Sequence, residues 1–282
     1  MSTTGQAVTA LSSPTPARTP HAGLHRLVGT AQHALLALSG LAVLLLLWQI
    51  GVWALETRMP LAHLFAPQAA VGSLYDLLAR GELTTDIIAS LRRVGVSLGL
   101  ALLAGVPTGL AVGSSRRFDA GTSAAFQFLR MISPLSWMPI AVMAFGIGDA
   151  PIYFLLAITA VWPIVLNTAS GVRQLDPRWL ALAHSLSATR TEILLRIVLP
   201  GILGNVLTGV RIAIGIIWIL LVPCEMLGVT SGLGYFVLDT RDRLAYSELM
   251  AVILLIGILG FALDSLVREL HRALTHRAAA GG

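Results

Sequence analysis

The sequence predicts an all-α membrane protein with about six transmembrane helices. Two observations carry this. Hydrophobic residues make up 56% of the 282 residues and charged residues only 12%, with a mean hydropathy of +0.81, whereas a soluble domain charges roughly a quarter of its residues to cover its surface. The apolar residues also fall into runs of about 20, the length of helix that crosses some 30 Å of hydrocarbon. The 27 glycines suit such helices, because small side chains let backbones approach.

The charges narrow the function. A net charge of +5 and a pI near 10.3 would suit a nucleic-acid binder, but the basic residues sit between apolar runs, so topology accounts for them and no nucleic-acid partner is expected. All 19 are Arg. Without lysine there is neither a P-loop lysine for nucleotide phosphates nor a Schiff base, so the chain is not itself an ATPase or a soluble enzyme. Cys224 stands alone and no HExxH spacing occurs. Neither a disulfide within the chain nor a cysteine or HExxH metal site is expected.

The elements follow in order. Residues 1–32, with SSPTPARTP, read as a disordered cytoplasmic tail rather than a secretory signal. The first span is predicted over 33–55, with Trp48 and Trp53 suited to an interfacial belt. VGSLYDLLARGEL reads as a short amphipathic helix outside the bilayer. The second span, 88–113, carries Gly95, Gly99, Gly105, Gly109 and Gly113, taken as one packing face. A third, 122–146, is broken by Pro134 and Pro139, and a fourth runs over 151–171. The polar stretch 172–200 separates it from a fifth, 202–226. A Gly-rich loop, 227–247, precedes a sixth, 248–267, and a cytoplasmic tail, 271–282.

Arginine counts orient the chain. With the N-terminus inside, the inner segments hold twelve Arg and the outer ones six, which favours both termini in the cytoplasm and a multi-pass protein of the cell inner (plasma) membrane. Arg92 and Arg93 run against this rule, and are expected to snorkel at the start of the second span.

The stretch DPRWLALAHSLSATRTEILLRIVLP, 176–200, is too polar to span yet has apolar residues at helical spacing: Trp179, Leu182, Ala183 and Leu186, then Ile193, Leu194, Ile197 and Val198. Two short helices joined around Ser187-Ala188-Thr189 are predicted to project on the cytoplasmic side. Their apolar face needs a partner.

This stretch resembles the cytoplasmic loop of permease subunits of type I ABC importers, EAA-x3-G-x9-I-x-LP. Ile197, Leu199 and Pro200 match; the Glu-Ala-Ala position reads Ala181-Leu182-Ala183, and the family glycine is Ser187. SLRRVGVSLGLALLAGVPTGLAVG, LRMISPLSWMPIAVMAFGIGDAP and CEMLGVTSGLGYFVLDTRD are similar to the nitrate/sulfonate/taurine/bicarbonate branch, and the likeness covers about 70–270. It implies a permease domain over 33–270 working as a homodimer or beside a sister permease. It also implies separate ATPase subunits that carry the ATP and Mg, a soluble solute-binding protein, and a small anion as cargo. This chain itself holds no cofactor. ATPase coupling then falls to Leu182, Ala183, His184, Ser185, Leu186, Ser187, Ala188 and Pro200. Ala183→Arg is expected to abolish transport in a folded protein.

Polar groups within spans are costly and often functional. Glu225 could line the pathway, gate it, or pair with Arg130 or another helix, and a structural or gating hydrogen bond is the preferred reading. Asn167 and Thr168 are pathway groups or interhelical glue. Ser133, Pro134, Ser136 and Trp137 form a substrate-facing break or an ordinary proline kink. Arg130 and Arg211 could meet an anion, with Arg130 counted among the pathway candidates, but each lies near the cytoplasmic end of a span and snorkelling there is the preferred reading. Two rival functions stay open: an ion-driven secondary transporter, disfavoured by a single deep carboxylate and no visible repeat, and a membrane scaffold without an ATPase.

Overall fold

The computed structural model describes residues 21–280, with side chains described over 39–270 and at 272 and 273. The expected tail therefore lies outside the described residues for 1–20. Helix α1, His21–Glu56, begins ahead of the boundary expected at 33. The described residues up to 59 form one compact unit and those from 60 onward another. In the first, α1 carries an apolar, largely unburied stretch over Ser39–Glu56, long enough to cross a membrane.

The second unit is helical throughout its described residues. Helix α2, Pro67–Ala79, starts on a proline at its first position, where the missing N–H costs nothing. Then come α3, Thr84–Ser114, and α4, Arg116–Met131, capped by the Ser115 hydroxyl, which accepts from the Phe118 N–H. A turn at Pro134–Trp137 leads into α5, Met138–Phe145, and Gly146 and Gly148 take positive φ before α6, Asp149–Gln174. Next are α7, Pro177–Ser185, and α8, Arg190–Ile193. A π turn, Leu194–Val198, leads to α9, Leu199–Gly228. Helices α10, Leu233–Asp242, and α11, Tyr246–Ala280, complete the chain. Among the described residues five helices, α1 included, are long and apolar enough to span, or up to six if α4 and α5, bent by 87° at their break, make one crossing.

Helices α3, α6 and α9 form the core, and glycine sets their spacing. A Cβ on Gly105 would lie 2.8 Å from Ile164 Cγ2, one on Gly109 2.6 Å from Thr168 Cβ, and one on Gly113 2.7 Å from Val172 Cβ. Gly171 and Gly209 do the same for α6 against α9, meeting Asn205 and the Pro163 carbonyl. The packing face is shorter than the sequence predicts, because nothing lies within 4 Å of Gly95 or Gly99. The step from 99 to 105 is six residues, about 240° around a helix, so Gly99 is turned some 120° away from Gly105, and at its end of α3 neither it nor Gly95 meets a neighbouring element. Around these contacts Ile152, Leu155, Leu156, Ile164, Ile217 and Leu221 are fully or almost fully buried. The predicted amphipathic helix is α2, whose Leu77 packs with Leu83, Leu233, Val252 and Leu255.

Three boundaries differ from expectation. The Gly-rich loop contains α10, which buries Leu233, Gly234, Phe236 and Thr240. The second of the two short cytoplasmic helices does not end: α8 continues through the π turn into α9 as one helix, Arg190–Gly228. The tail expected from 271 carries α11 as far as Ala280.

Candidate functional site

Three regions of the second unit concentrate chemistry. The first joins one end of α3, α6 and α9. Arg93 on α3 is 2% exposed and Glu225 on α9 0%. Their Nη1 and Oε1 atoms lie 2.7 Å apart. The guanidinium also donates from Nε and Nη2 to Asp149 Oδ1, at 2.9 and 2.7 Å, and from Nη1 to the Ser231 carbonyl at 2.7 Å. Glu225 accepts from the Ser90 hydroxyl at 2.8 and 2.9 Å and from the Gly234 N–H at 2.8 Å. Ser90 Oγ in turn accepts from the Leu233 N–H at 2.9 Å, and Asp86 accepts from the Gly232 N–H at 2.7 Å. A buried charge is tolerable only when paired and hydrogen-bonded, and both conditions are met here. The tight fit needs Gly232 at φ +112, where a Cβ would strike Arg93 and Glu225.

This network corrects one expectation. Arg93 does not snorkel; it lies inside the fold, while Arg92 alone is exposed. Of the partners expected for Glu225, it takes one on another helix, Arg93 on α3, and not Arg130. Its hydrogen bond from the Gly234 N–H ties the loop between α9 and α10.

The second region is a cavity of about 420 Å³ where the bent α4–α5 crossing leans on the middle of α6. Leu129, Arg130, Pro134 and Trp137 line one side, and Thr159, Trp162 and Leu166 the other. Arg130, in the last turn of α4, therefore shares this cavity with Trp162 and Pro163 from the middle of α6. Its Nη2 donates to Gln127 Oε1 at 2.6 Å. Arg211, also expected to snorkel, is 3.2 Å from Asp264 on α11. Trp137 reaches the cavity, but Ser133 and Ser136 are exposed away from its lining. Asn167 donates to the Pro163 carbonyl at 2.8 Å and packs under Gly209, a position between α6 and α9.

The third region is the opposite end of the core. Asp176 caps α7 by accepting from the Arg178 N–H at 2.9 Å. Thr189 and Glu192 form a reciprocal capping box at the start of α8. Between them Ser187 adopts φ +55, the left-handed turn for which glycine is the usual residue. Trp179, Leu182 and Leu186 are 60%, 53% and 73% exposed. His184, Ser185, Ser187 and Pro200 are exposed, Ala188 is half-buried, and Ala183 is buried at 5%. An arginine at 183 would disrupt packing, so it is not the clean probe that the sequence predicts.

Long apolar helices, a cavity at a bent crossing and a short helix with bare apolar side chains define a membrane-spanning transport component. Residues 101–279 match the sequence model of the family described as the inner membrane component of binding-protein-dependent transport systems, and the chain belongs to that family. It is 37% identical over 246 residues to the bicarbonate transport system permease protein CmpB of Synechococcus elongatus, covering 84% of this chain and 88% of that one. It is 33% identical to the nitrate import permease protein NrtB of Leptolyngbya laminosa (91% and 94% covered) and 32% identical to the taurine transport system permease protein TauC of Escherichia coli (85% and 88%). The fold is similar to that of the MetNI methionine ABC transporter in an inward-facing conformation. The TM-score is 0.59 at 18% identity, over 67% of this chain and 94% of that one.

Proposed function

We propose that this permease forms the anion pathway of an ATP-driven importer and is worked through α7 by separate ATPase subunits. The observation that carries the reading is the exposure of Trp179, Leu182 and Leu186 on one short helix, flanked by Asp176, Arg178 and Arg190 and too polar for lipid. Apolar surface of this kind beside charged residues marks a protein-binding face. The ATPase subunits carry the ATP and Mg, and their closure moves α7 and, through the continuous helix Arg190–Gly228, the core. Two copies of the chain, or one with a sister permease, enclose the path, and a soluble binding protein delivers the solute. Ends bearing Arg116, Arg117, Arg173 and Arg190 face the cytoplasm, as do both termini. The permease relatives for bicarbonate, nitrate and taurine support an anion as cargo.

In this scheme Arg130 and Trp137 meet the solute. Ser133 and Ser136, exposed on the bend, face the second copy. Glu225 fixes the outer mouth, and Asn167 holds α6 against α9. The test is Leu186→Asp, at a residue 73% exposed in its own fold. The variant should insert and melt like the parent, while the ATPase subunit no longer co-purifies and ATP-dependent uptake is lost. Full uptake with Leu186→Asp and with Leu182→Asp would refute docking through α7.

A further inference from the structure

Resting on that reading, we propose that the α4–α5 cavity selects an organic anion with a planar apolar body, a ring-bearing carboxylate or sulfonate, rather than a small hydrated inorganic anion. The lining supplies the argument. It comprises Leu129, Ile132, Pro134, Trp137, Ile158, Trp162, Pro163, Leu166 and Ile216 around one cation, Arg130, and one hydroxyl, Thr159. The hydroxyl is already committed, donating to the Leu155 carbonyl at 2.7 Å. No carboxylate lines the cavity, and among the described residues Arg130 makes no ion pair, its guanidinium bonding only the neutral Gln127.

Such a site has one strong donor group for an anion and little else that is polar. Nitrate or bicarbonate entering it would exchange part of its hydration shell for a single guanidinium among apolar walls, and an ion that loses water without enough new hydrogen bonds is disfavoured. A ring-bearing monoanion loses water mainly from its carboxylate or sulfonate, where the Arg130 fork replaces it bidentately. The ring leaves water altogether for the two indoles and the aliphatic walls, which favours binding. Pockets of this make-up, apolar walls with a few placed polar groups, are the usual form of small-molecule sites, and 420 Å³ is within their range. Trp162 is itself braced by Phe126, with ring centroids 5.4 Å apart, so the wall it offers is held in place.

The experiment is photolabelling of the intact transporter in nanodiscs with 4-azidobenzoate, mapped by mass spectrometry, beside ATP-dependent uptake in proteoliposomes. Label should concentrate in peptides covering 129–137 and 158–166. Benzoate and benzenesulfonate should displace it, equimolar nitrate should not, and the label should fall about tenfold or more in Arg130→Gln. Trp162→Leu should weaken benzoate competition and leave protein yield unchanged. Label elsewhere, label indifferent to Arg130→Gln, or displacement by nitrate as effective as by benzoate would overturn the proposal. ATP-dependent uptake of nitrate, bicarbonate or taurine with no cavity labelling would sink this inference and leave the importer standing. Specific labelling with no ATP-dependent uptake would do the reverse.

Discussion

Removing Arg93 from beside Glu225 should destabilise the core by about 3–5 kcal/mol, the cost of leaving a buried carboxylate without its counter-ion. The structure sets that magnitude. Glu225 is wholly buried, its Oε1 is 2.7 Å from Arg93 Nη1, and its other partners, Ser90 and Gly234, are neutral. Asp149 also loses a partner, but its side chain is 35% exposed and water can take over. Arg93→Met keeps most of the side-chain volume while deleting the charge. In Arg93→Met/Glu225→Gln no unpaired buried charge remains, and the amide can still accept from Gly234, so the double variant should recover more than half of the loss. The assay is equilibrium unfolding in mixed detergent micelles for the parent, both single variants and the double, read as a double-mutant cycle. A coupling of roughly 1.5 kcal/mol or more is expected, with faster amide exchange at Gly232–Gly234, whose N–H groups the network holds. A single-variant cost below about 1 kcal/mol, or a double variant equal to the sum of the singles, would refute the reasoning.

Two further outcomes follow from backbone geometry. Gly109→Ala should cost about 1–3 kcal/mol, because its Cβ would sit 2.6 Å from Thr168 Cβ and 2.8 Å from the Val165 carbonyl, whereas Gly99→Ala, with nothing within 4 Å, should be neutral or slightly stabilising in the same assay. Ser187→Gly should stabilise the α7–α8 turn by up to about 1 kcal/mol by relieving a left-handed serine, measured as lowered proteolysis of the 176–190 region in the isolated permease.

What the sequence made legible was whatever depends on local pattern. Long apolar runs gave the spans, because bilayer thickness fixes their length, and the apolar spacing from Trp179 to Leu186 gave α7 within two residues of its ends. Helix α10 escaped because LGYFVLDTRD is short, flanked by glycine and only partly apolar. It is helical through its burial against α9 and α11. The role of Arg93 escaped for a different reason. Its partner is 132 residues away, and one chain read alone carries no signal for a pairing at that separation. Two neighbouring arginines simply look like an interfacial pair. The misplacement of Gly99 was within reach, since turning the helix by 100° per residue sets it about 120° from Gly105; Gly95 is in phase with Gly113 and is left out only because no neighbour lies within 4 Å of it. The cavity at Arg130 escaped because it forms where the 87° bend sets the end of α4 against residues from the middle of α6, a juxtaposition that sequence distance does not carry.

The chain's one thiol, Cys224, is wholly enclosed among the residues of the α3–α6–α9 core. A maleimide in the surrounding water has no path to it while the fold is intact. Cysteines introduced singly at Ser185, Ser115 or Thr230 would therefore be the sole reactive sulfhydryls in an otherwise native background, and membrane-impermeant reagents could assign each helix end to its side of the bilayer without first removing the natural residue.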